Sequence, residues 1–374
     1  GAPCILFGQQ SPIQTPSFSQ SQTTMYVPST AQKLQSLAQY VHRAWEVEDG
    51  LPQNTVGSLC QTRDGYIWFG TSEGLVRFDG VRFTLFTSNS SPALTHNFVS
   101  SIKEGNDGAL WVTTFGGGIN RLIQGKTTFL STEQGLPHNS TRTSMSADDG
   151  TTWVGTNRGV GIVKNGMVQT FSKQLDSAVV TVLFKDSRTR VWIGTRNQGL
   201  FIVKQGVCTP FVLRSYTEEK LPLHIKEIVE TADGELWVAT SDGLYSIQPS
   251  NIKRYTTQEN LPSNQIQSLM IDIRGSLWIG TQNGLCRMDD DIVSVFPNNH
   301  PLKNIAITSL LQDKEGNIWV GTYGQGLHRL YESKIFVYPE VLTMQNQNIL
   351  SVAETNNGIL FMGTTNGVFF LPST

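Results

Sequence analysis

The sequence predicts an all-β fold built from one repeated four-stranded unit. Seven of the eight tryptophans fall in a single short motif, and successive copies of the motif are 39 to 45 residues apart. Asp-Gly pairs also recur at one place within each period, where they predict hairpin turns. A period near 40 residues that contains four short strands is that of a propeller blade. We therefore expect a β-propeller of four-stranded antiparallel blades.

The repeated motif has the form G-x-[LIVT]-W-[VIF]-[GAT]-T, and Gly-Leu or a close variant follows it a few residues later. Phe361 takes the place of tryptophan in an eighth copy, and Thr189 stands in one copy where the others have glycine. A four-stranded meander of this size cannot bury both of its faces alone, so the aromatic residue is expected to pack between neighbouring blades. The seven tryptophans are Trp68, Trp111, Trp153, Trp192, Trp237, Trp278 and Trp319.

The unit around Trp278 shows how each repeat divides into strands. Apolar alternation and turn residues predict strands at residues 266–270, 277–279, 285–288 and 292–296. Residues 272–275 form the first turn, and Asn283-Gly284 forms the second. Glycine after Asp or Asn allows the positive φ angles that tight turns require, so the meander is expected to be antiparallel throughout.

Counting the first strands gives eight repeat units, and this count favours an eight-bladed ring. The eighth unit reaches Thr374 without a fourth strand, while residues 40–45 provide a spare strand that could complete it. In the alternative, seven blades close the ring and the residues from about 346 open a second propeller. The first strands begin near Val56, Val99, Thr141, Val179, Ile225, Ile266, Ile307 and Ile349.

Two domains are expected along the chain. Residues 1–36 are rich in Ser, Gln, Thr and Pro and are interpreted as a disordered lead-in. Their first residues, from Ala2 to Gly8, fit the tail of a secretory signal peptide, and a cloning remnant or an ordinary disordered tail fits equally well. Residues 37–374 contain all the repeats and are assigned to the propeller.

Composition excludes several classes of function. With 28 Lys plus Arg against 30 Asp plus Glu, the net charge of -2 gives no general attraction to nucleic acid or to an anionic membrane. No apolar run approaches the length that spans a bilayer, so direct membrane insertion is not expected. The four cysteines and six histidines show no metal-ligand spacing. No metal, other cofactor or catalytic residue is therefore predicted.

Two stretches of the chain closely resemble the two-component regulator propeller repeats. They are "EVEDGLPQNTVGSLCQTRDGYIWFGTSEGLVRFDG", which follows Trp45, and "ITSLLQDKEGNIWVGTYGQGLHRL". The resemblance covers about residues 37 to 370. It implies a periplasmic sensor propeller of the kind found in histidine kinases, hybrid two-component systems and diguanylate cyclases. In that family a β-sandwich linker, a membrane helix and the catalytic module commonly follow, so downstream signalling domains are the implied partners.

Two other functions compete with a non-catalytic sensor of this kind. Residues 146–153 fit the Asp-box pattern of sialidases, which would indicate an enzyme acting on glycans. The pattern occurs once and lies where other units keep a plain Asp and Gly turn, which favours a structural role. The other alternative is a protein-interaction scaffold, and the composition does not separate it from a sensor.

The predicted ligand site lies in the loops before the first strands, because equivalent loops of every blade gather on one face around the axis. Asparagines recur there and are expected to hold their own turns through hydrogen bonds to the backbone. Residues that interrupt the repeat are better candidates for specificity, and a small polar ligand such as a glycan fragment is expected. The candidates are His96, His138, His224, Lys303, Asn54, Asn97, Asn139, Asn264 and Asn304.

Overall fold

The computed structural model describes residue 37, residues 40–213 and 223–332, and the segments 349–354, 360–364 and 367–371. Strands dominate this part of the chain, which confirms the all-β propeller. The lead-in assigned to residues 1–36 lies outside the described residues. In the described ranges no helix is long and apolar enough to span a bilayer. The helical elements are short 3-10 turns at Val47–Asp49, Thr132–Gln134, Lys173–Leu175 and Thr257–Glu259.

Seven blades of four antiparallel strands make up the ring. Blade 1 contains β2 (Ser58–Gln61), β3 (Ile67–Gly70), β4 (Leu75–Phe78) and β5 (Phe83–Phe86). Blade 2 contains β6 (Val99–Glu104), β7 (Leu110–Thr114), β8 (Ile119–Ile123) and β9 (Lys126–Leu130). Blade 3 contains β10 (Thr141–Ser146), β11 (Thr152–Thr156), β12 (Gly159–Lys164) and β13 (Met167–Thr170). Blades 4 and 5 contain β14 (Val180–Lys185), β15 (Val191–Thr195), β16 (Leu200–Lys204) and β17 (Val207–Phe211); and β18 (Ile225–Glu230), β19 (Leu236–Thr240), β20 (Gly243–Gln248) and β21 (Asn251–Tyr255). Blade 6 contains β22 (Ile266–Ile271), β23 (Leu277–Thr281), β24 (Gly284–Asp289) and β25 (Ile292–Val295), and blade 7 contains β26 (Ile307–Gln312), β27 (Ile318–Thr322), β28 (Leu327–Glu332) and the N-terminal β1 (Tyr40–Trp45).

The first strands are the innermost strands of the ring. Each one contacts the first strand of the next blade, and β26 of blade 7 contacts β2 of blade 1. At that joint the amide of Val56 donates to the carbonyl of Thr322 at 3.0 Å, as the amide of Val99 does to Thr71 between blades 1 and 2. Because the joint between the last and first blades uses the same bond as a joint within the series, the ring is closed.

The N-terminal strand closes the seventh blade. It pairs with β28 over six residues, with Tyr40 opposite Glu332 and Trp45 opposite Leu327. The structure therefore forms the seven-bladed ring given as the alternative, in place of the eight-bladed ring that the repeat count favours. The eighth unit forms a separate three-stranded sheet of β29 (Ile349–Glu354), β30 (Leu360–Thr364) and β31 (Gly367–Leu371).

The tryptophans of the repeat pack between blades, as the sequence predicts. Trp278 of blade 6 is fully buried and clusters with Ile318 and Val320 of blade 7. Trp319 of blade 7 clusters in the same way with Phe69 of blade 1. Three of the indole N–H groups donate to a carboxylate six residues earlier in the chain, in the pairs Trp192–Asp186 (2.8 Å), Trp278–Asp272 (2.8 Å) and Trp319–Asp313 (2.7 Å).

A β-bulge interrupts the first strand of blades 2 to 7 at its second residue. In blades 2, 4 and 7 this residue carries a hydroxyl, which donates to the backbone carbonyl at or near the start of the next blade's first strand. These bonds join Ser100 to Thr141 (2.7 Å), Thr181 to Ile225 (2.6 Å) and Thr308 to Val56. The bulge residues of blades 3, 5 and 6 are Arg142, Lys226 and Gln267.

Candidate functional site

One end of the ring gathers the loops before the first strands and the loops between the second and third strands. The pairing of Thr141 with Thr156, and of Ile225 with Thr240, shows why, since the start of each first strand lies beside the end of the second. We call this end the mouth face. All nine predicted site residues lie in loops before first strands, so the structure places all of them on the mouth face.

The asparagines of the mouth face hold their own loops. In three blades the side-chain oxygen accepts from the first amide of the 3-10 turn, seven residues earlier in the chain. The pairs are Asn54 with Val47 (2.9 Å), Asn139 with Thr132 (2.7 Å) and Asn264 with Thr257 (2.8 Å). Asn97 accepts from the amide of Ser88, nine residues earlier in the chain, at 2.8 Å. These four side-chain oxygens are engaged in loop structure, as sequence reasoning expected for a repeated asparagine.

Two of the predicted histidines share this kind of role. The Nδ1 atom of His96 accepts from the amide of Phe98 at 3.1 Å, and Nδ1 of His138 accepts from Ser140 at 2.8 Å. With Nδ1 accepting, the ring proton is on Nε2, which is the donor available to a ligand. His96 is exposed and His138 is half-buried, so both rings are partly open to solvent.

His224 lies in a different environment. Its backbone pairs with Ser241, and its ring is half-buried at the start of blade 5. Burial, together with the positive charges of Lys226, Arg196 and Arg142, lowers the pKa of His224 to about 3. His224 is therefore neutral at pH 7 and lies next to three cations, which the sequence-based selection of site residues did not include.

Lys303 and Asn304 lie in the loop before the first strand of blade 7, apart from the three predicted histidines His96, His138 and His224. The Lys303 ammonium donates to the side-chain oxygen of Asn298, and Asn304 has a left-handed backbone with a φ of 62°. Both line a cavity of about 210 Å³ next to Phe296, at the end of the fourth strand of blade 6. The nine predicted residues thus share a face but do not form one pocket.

Three cations from three consecutive blades meet on the mouth face. Arg142 and Lys226 are the bulge residues of blades 3 and 5, and Arg196 directly follows the second strand of blade 4. We call these three residues the cation cluster. Burial lowers the pKa of Lys226, and the nearby positive charges of Arg196 and Arg142 lower it further. Burial likewise lowers the pKa of Arg142, with Arg196 as the second cause. No ion pair between described residues includes a member of the cluster.

An exposed aromatic pair borders the cation cluster. The rings of Phe98 and Phe115 lie 5.6 Å apart and are 44% and 38% exposed as residues. The guanidinium carbon of Arg142 lies 5.1 Å from the centre of the Phe115 ring, and its Nε donates to Asn157 at 2.5 Å. His96 lies beside Gly116, the residue after Phe115. Cationic and aromatic surfaces are therefore adjacent on this face.

A larger cavity of about 640 Å³ opens at the opposite end of the ring, between blades 6 and 7. It is lined by Tyr40 of β1 and by turn residues between first and second strands. Two of its charged groups form an ion pair, since Arg274 contacts Glu332 at 2.5 Å. Sequence reasoning proposed no residue of this cavity as a site residue.

The single Asp-box match forms an ordinary turn. Asp149 accepts from the amide of Thr151 at 3.1 Å and from its hydroxyl at 2.8 Å, and the ammonium of Lys164 lies 3.0 Å away. Each contact stabilises the turn between β10 and β11. Among the described residues no group of His, Cys, Asp and Glu is arranged to hold a metal ion.

Comparison with solved structures identifies similar propellers. The chain aligns with a protein named as the extracellular domain of a hybrid two component system, BT3049 from B. thetaiotaomicron, with 24% identity and a TM-score of 0.68, over 89% of this chain and 48% of that one. For the extracellular domain of BT4673 from the same organism the values are 21%, 0.62, 90% and 46%. This chain thus spans about half the length of both. The virginiamycin B lyase of Staphylococcus aureus aligns at 16% identity and a TM-score of 0.62, over 79% of this chain and 99% of the lyase. At these identities the likeness shows the fold alone.

A sequence profile described as "Two component regulator propeller" matches five segments of the chain, whereas comparison with curated proteins gives no match. The segments run from the loop before a first strand to the loop after the second strand, in blades 1, 2, 4, 6 and 7. They are residues 50–73, 93–116, 174–197, 260–283 and 301–324. The chain is therefore a seven-bladed propeller in which five blades carry a two component regulator propeller repeat.

Proposed function

We propose that this propeller is the extracytoplasmic, ligand-sensing part of a bacterial signal-transduction receptor of the histidine kinase or diguanylate cyclase type. The family repeats support this proposal, as does the similarity of the fold to extracellular domains of two component systems. The chain spans about half the length of those domains, so further domains of a larger receptor are the proposed partners. In this proposal the parent protein is periplasmic at this end, and the propeller binds without catalysing a reaction.

The observation that carries the proposal is that non-repeating polar side chains from several blades lie on the mouth face. Asparagines in the same loops are engaged with the backbone, whereas the rings of His96, His138 and His224 are partly accessible. A concave end of a ring where a few polar groups meet is the usual geometry of a small-molecule site. A small polar ligand such as a glycan fragment fits this surface. The lone Asp-box turn gives a glycan-cleaving enzyme no comparable support.

A thermal-shift experiment with soluble oligosaccharides tests the proposed function. A ligand that binds the folded propeller should raise the melting temperature by an amount that grows with its concentration. The double variant His138→Asn, His224→Ala should lose most of this shift. Asparagine at position 138 can still accept from the Ser140 amide, so the unliganded melting temperature should change little.

Lys204→Gln is the matched control for this experiment, because Lys204 ends the third strand of blade 4 at the opposite end of the ring. It should bind the ligand as the unmodified protein does. Equal affinity of the histidine double variant would reject the mouth face as the binding site. Turnover of the oligosaccharide by the purified chain would reject the non-catalytic role.

A further inference from the structure

We infer that the cation cluster of Arg142, Arg196 and Lys226 binds an oxyanion, namely a carboxylate, sulfate or phosphate group, carried by a ligand whose non-polar face packs on Phe98 and Phe115. This inference rests on the proposed function and specifies the class of its ligand.

The first argument comes from the repeat itself. In blades 2, 4 and 7 the bulge residue is Ser or Thr, and its hydroxyl satisfies a backbone carbonyl of the next blade. Arg142 and Lys226 occupy the same position in blades 3 and 5. A short hydroxyl side chain is sufficient for the hydrogen bond between blades, so that bond does not explain a long cationic side chain. Neither blade is among the segments that the family profile matches. The two cations are thus departures from the structural pattern of the repeat.

The second argument is electrostatic. Arg142 and Lys226 flank blade 4, whose loop after the second strand carries Arg196, so three positive charges lie on one side of the mouth. Burial first, and then repulsion from the neighbouring cations, disfavours the charged states of Arg142 and Lys226 and lowers the pKa of each. Asp242, in the loop after the second strand of blade 5, is already paired with Arg254 at 2.8 Å. An oxyanion would offset this repulsion through charge-assisted hydrogen bonds.

The third argument concerns the shape of the ligand. The hydrogen bond to Asn157 and the contact with the Phe115 ring hold the Arg142 guanidinium beside the aromatic pair. A ligand bound to Arg142 would therefore place its adjoining atoms near Phe98 and Phe115, two adjacent apolar side chains that are exposed. Acidic sugars combine an oxyanion with an apolar ring face, and inorganic oxyanions provide the charge alone.

Calorimetric titration of the whole chain at low ionic strength tests the inference, with glucuronate, glucose, inorganic sulfate and inorganic phosphate as probes. Glucuronate should bind and glucose should not. Arg196→Gln and Lys226→Thr should each weaken glucuronate binding by at least about tenfold, the effect of losing one charge-assisted hydrogen bond. Lys226→Thr introduces the hydroxyl that Thr181 and Thr308 already supply at this position, so the fold should be retained. Lys204→Gln controls for the loss of one positive charge.

Phe115→Ala distinguishes an anionic group carried by an acidic sugar from a free inorganic oxyanion. If the natural ligand is an acidic sugar, this variant should weaken glucuronate binding and leave sulfate binding unchanged. Equal binding of sulfate, phosphate and glucuronate, all weakened by Lys226→Thr, would support the cation cluster as a site for free oxyanions. Failure of all three anions to bind, or unchanged binding by both cation variants, would overturn the inference. A neutral oligosaccharide that binds at the mouth face without competition from these anions would also overturn it, while the proposed function would stand.

Discussion

Trp278 shows how much one side chain contributes to the joint between two blades. The residue is fully buried, packs against blade 7, and satisfies its N–H with Asp272. We predict that Trp278→Ala lowers the free energy of unfolding by about 3 to 5 kcal/mol, the range for truncating a large buried aromatic side chain. Tyr323→Ala is the control, because Tyr323 is 71% exposed and should cost little. Urea unfolding of both variants measures this, and a loss below about 1 kcal/mol for Trp278→Ala would contradict the inter-blade role.

Thr189 carries backbone strain that glycine would relieve. Its φ is 61°, and its amide donates to the backbone carbonyl of Asp186. Gly275 makes the equivalent turn in blade 6, with a φ of 88°. A left-handed conformation costs a non-glycine residue about 1 to 2 kcal/mol, while glycine loses about 0.5 to 1 kcal/mol of chain entropy on folding. We therefore predict that Thr189→Gly stabilises the protein by about 0.5 to 1 kcal/mol.

The reverse substitution, Gly275→Thr, tests the same strain from the other side. No atom lies within 4 Å of a Cβ built on Gly275, so only the backbone conformation opposes the change. Denaturation midpoints should move upward for Thr189→Gly and downward for Gly275→Thr. A fall for both variants would show that the Thr189 side chain stabilises the turn in another way.

Two histidines connect the closing strand to its neighbour and make the stability depend on pH. His42 Nε2 lies 2.7 Å from Nδ1 of His328, and the other ring nitrogen of His328 lies 2.7 Å from the carbonyl of Gln325. Burial, together with the charge of His42, lowers the pKa of His328 to about 4. In the unfolded chain its pKa is about 6.5. The folded state therefore favours the neutral ring, and this contribution is complete above pH 6.5.

We predict that the contribution of His328 is lost as the pH falls from about 6.5 to about 4, because the unfolded state then binds the additional proton. The slope from one group cannot exceed about 1.4 kcal/mol per pH unit. His328→Val, which introduces the residue that Val76 supplies at the equivalent position of blade 1, should have a flatter pH profile. His224 titrates in both proteins and cancels in the comparison, whereas His42 and His300 interact with His328, so the difference reports the three histidines together. Parallel urea-unfolding profiles would exclude His328 as a source of the pH dependence.

At the level of elements, β1 holds the ring closed because it pairs with β28 through hydrogen bonds, while the chain connects it to blade 1. Trp45 is buried, and its ring stacks on that of Trp319, which lies on β27 of the same blade, with centroids 5.4 Å apart. We predict that deleting residues 37–48 lowers the free energy of unfolding by at least about 3 kcal/mol, because it exposes the edge of β28 and removes a buried aromatic. Melting curves of the deleted and complete chains measure the loss.

Adding the missing strand as a separate peptide tests closure directly. A peptide of residues 37–50 should restore much of the lost stability of the deleted protein, and a scrambled peptide should not. Because the peptide supplies no covalent connection, rescue would show that pairing with β28 is what stabilises the ring. Wild-type stability of the deleted protein would reject closure by β1.

The whole molecule shows which features a repeat makes predictable. The period, the turns and the buried tryptophans follow from local rules that every copy obeys, so residues 266–271 and 277–281 appear as strands where the pattern predicts them. The blade count does not follow, because the sequence indicates a spare strand at residues 40–45 without indicating which open edge it pairs with. That choice depends on the fit of Trp45 between Trp319 and Phe78, which only the closed ring provides.

The cation cluster was missed for a similar reason. Arg142, Arg196 and Lys226 are far apart in the chain, and each one taken alone is an ordinary surface residue. The available signal was the register of the repeat, since Arg142 and Lys226 align with the hydroxyl residues Ser100 and Thr181. Loop asparagines were correctly expected to serve their turns. The three charges come from three different blades, so their proximity becomes visible only in the folded ring.

If β1 closes the seventh blade, β29 to β31 are not needed for the ring. We predict that a chain ending at Glu332 unfolds with a free energy within about 0.5 kcal/mol of the complete chain, since the closed ring keeps its buried contacts. A chain ending at Gln325 is the matched control: it lacks β28, the strand with which β1 pairs, and should lose cooperative unfolding. Urea denaturation with size-exclusion chromatography distinguishes the outcomes. A large loss of stability in the longer truncation would mean that the eighth repeat supports the ring.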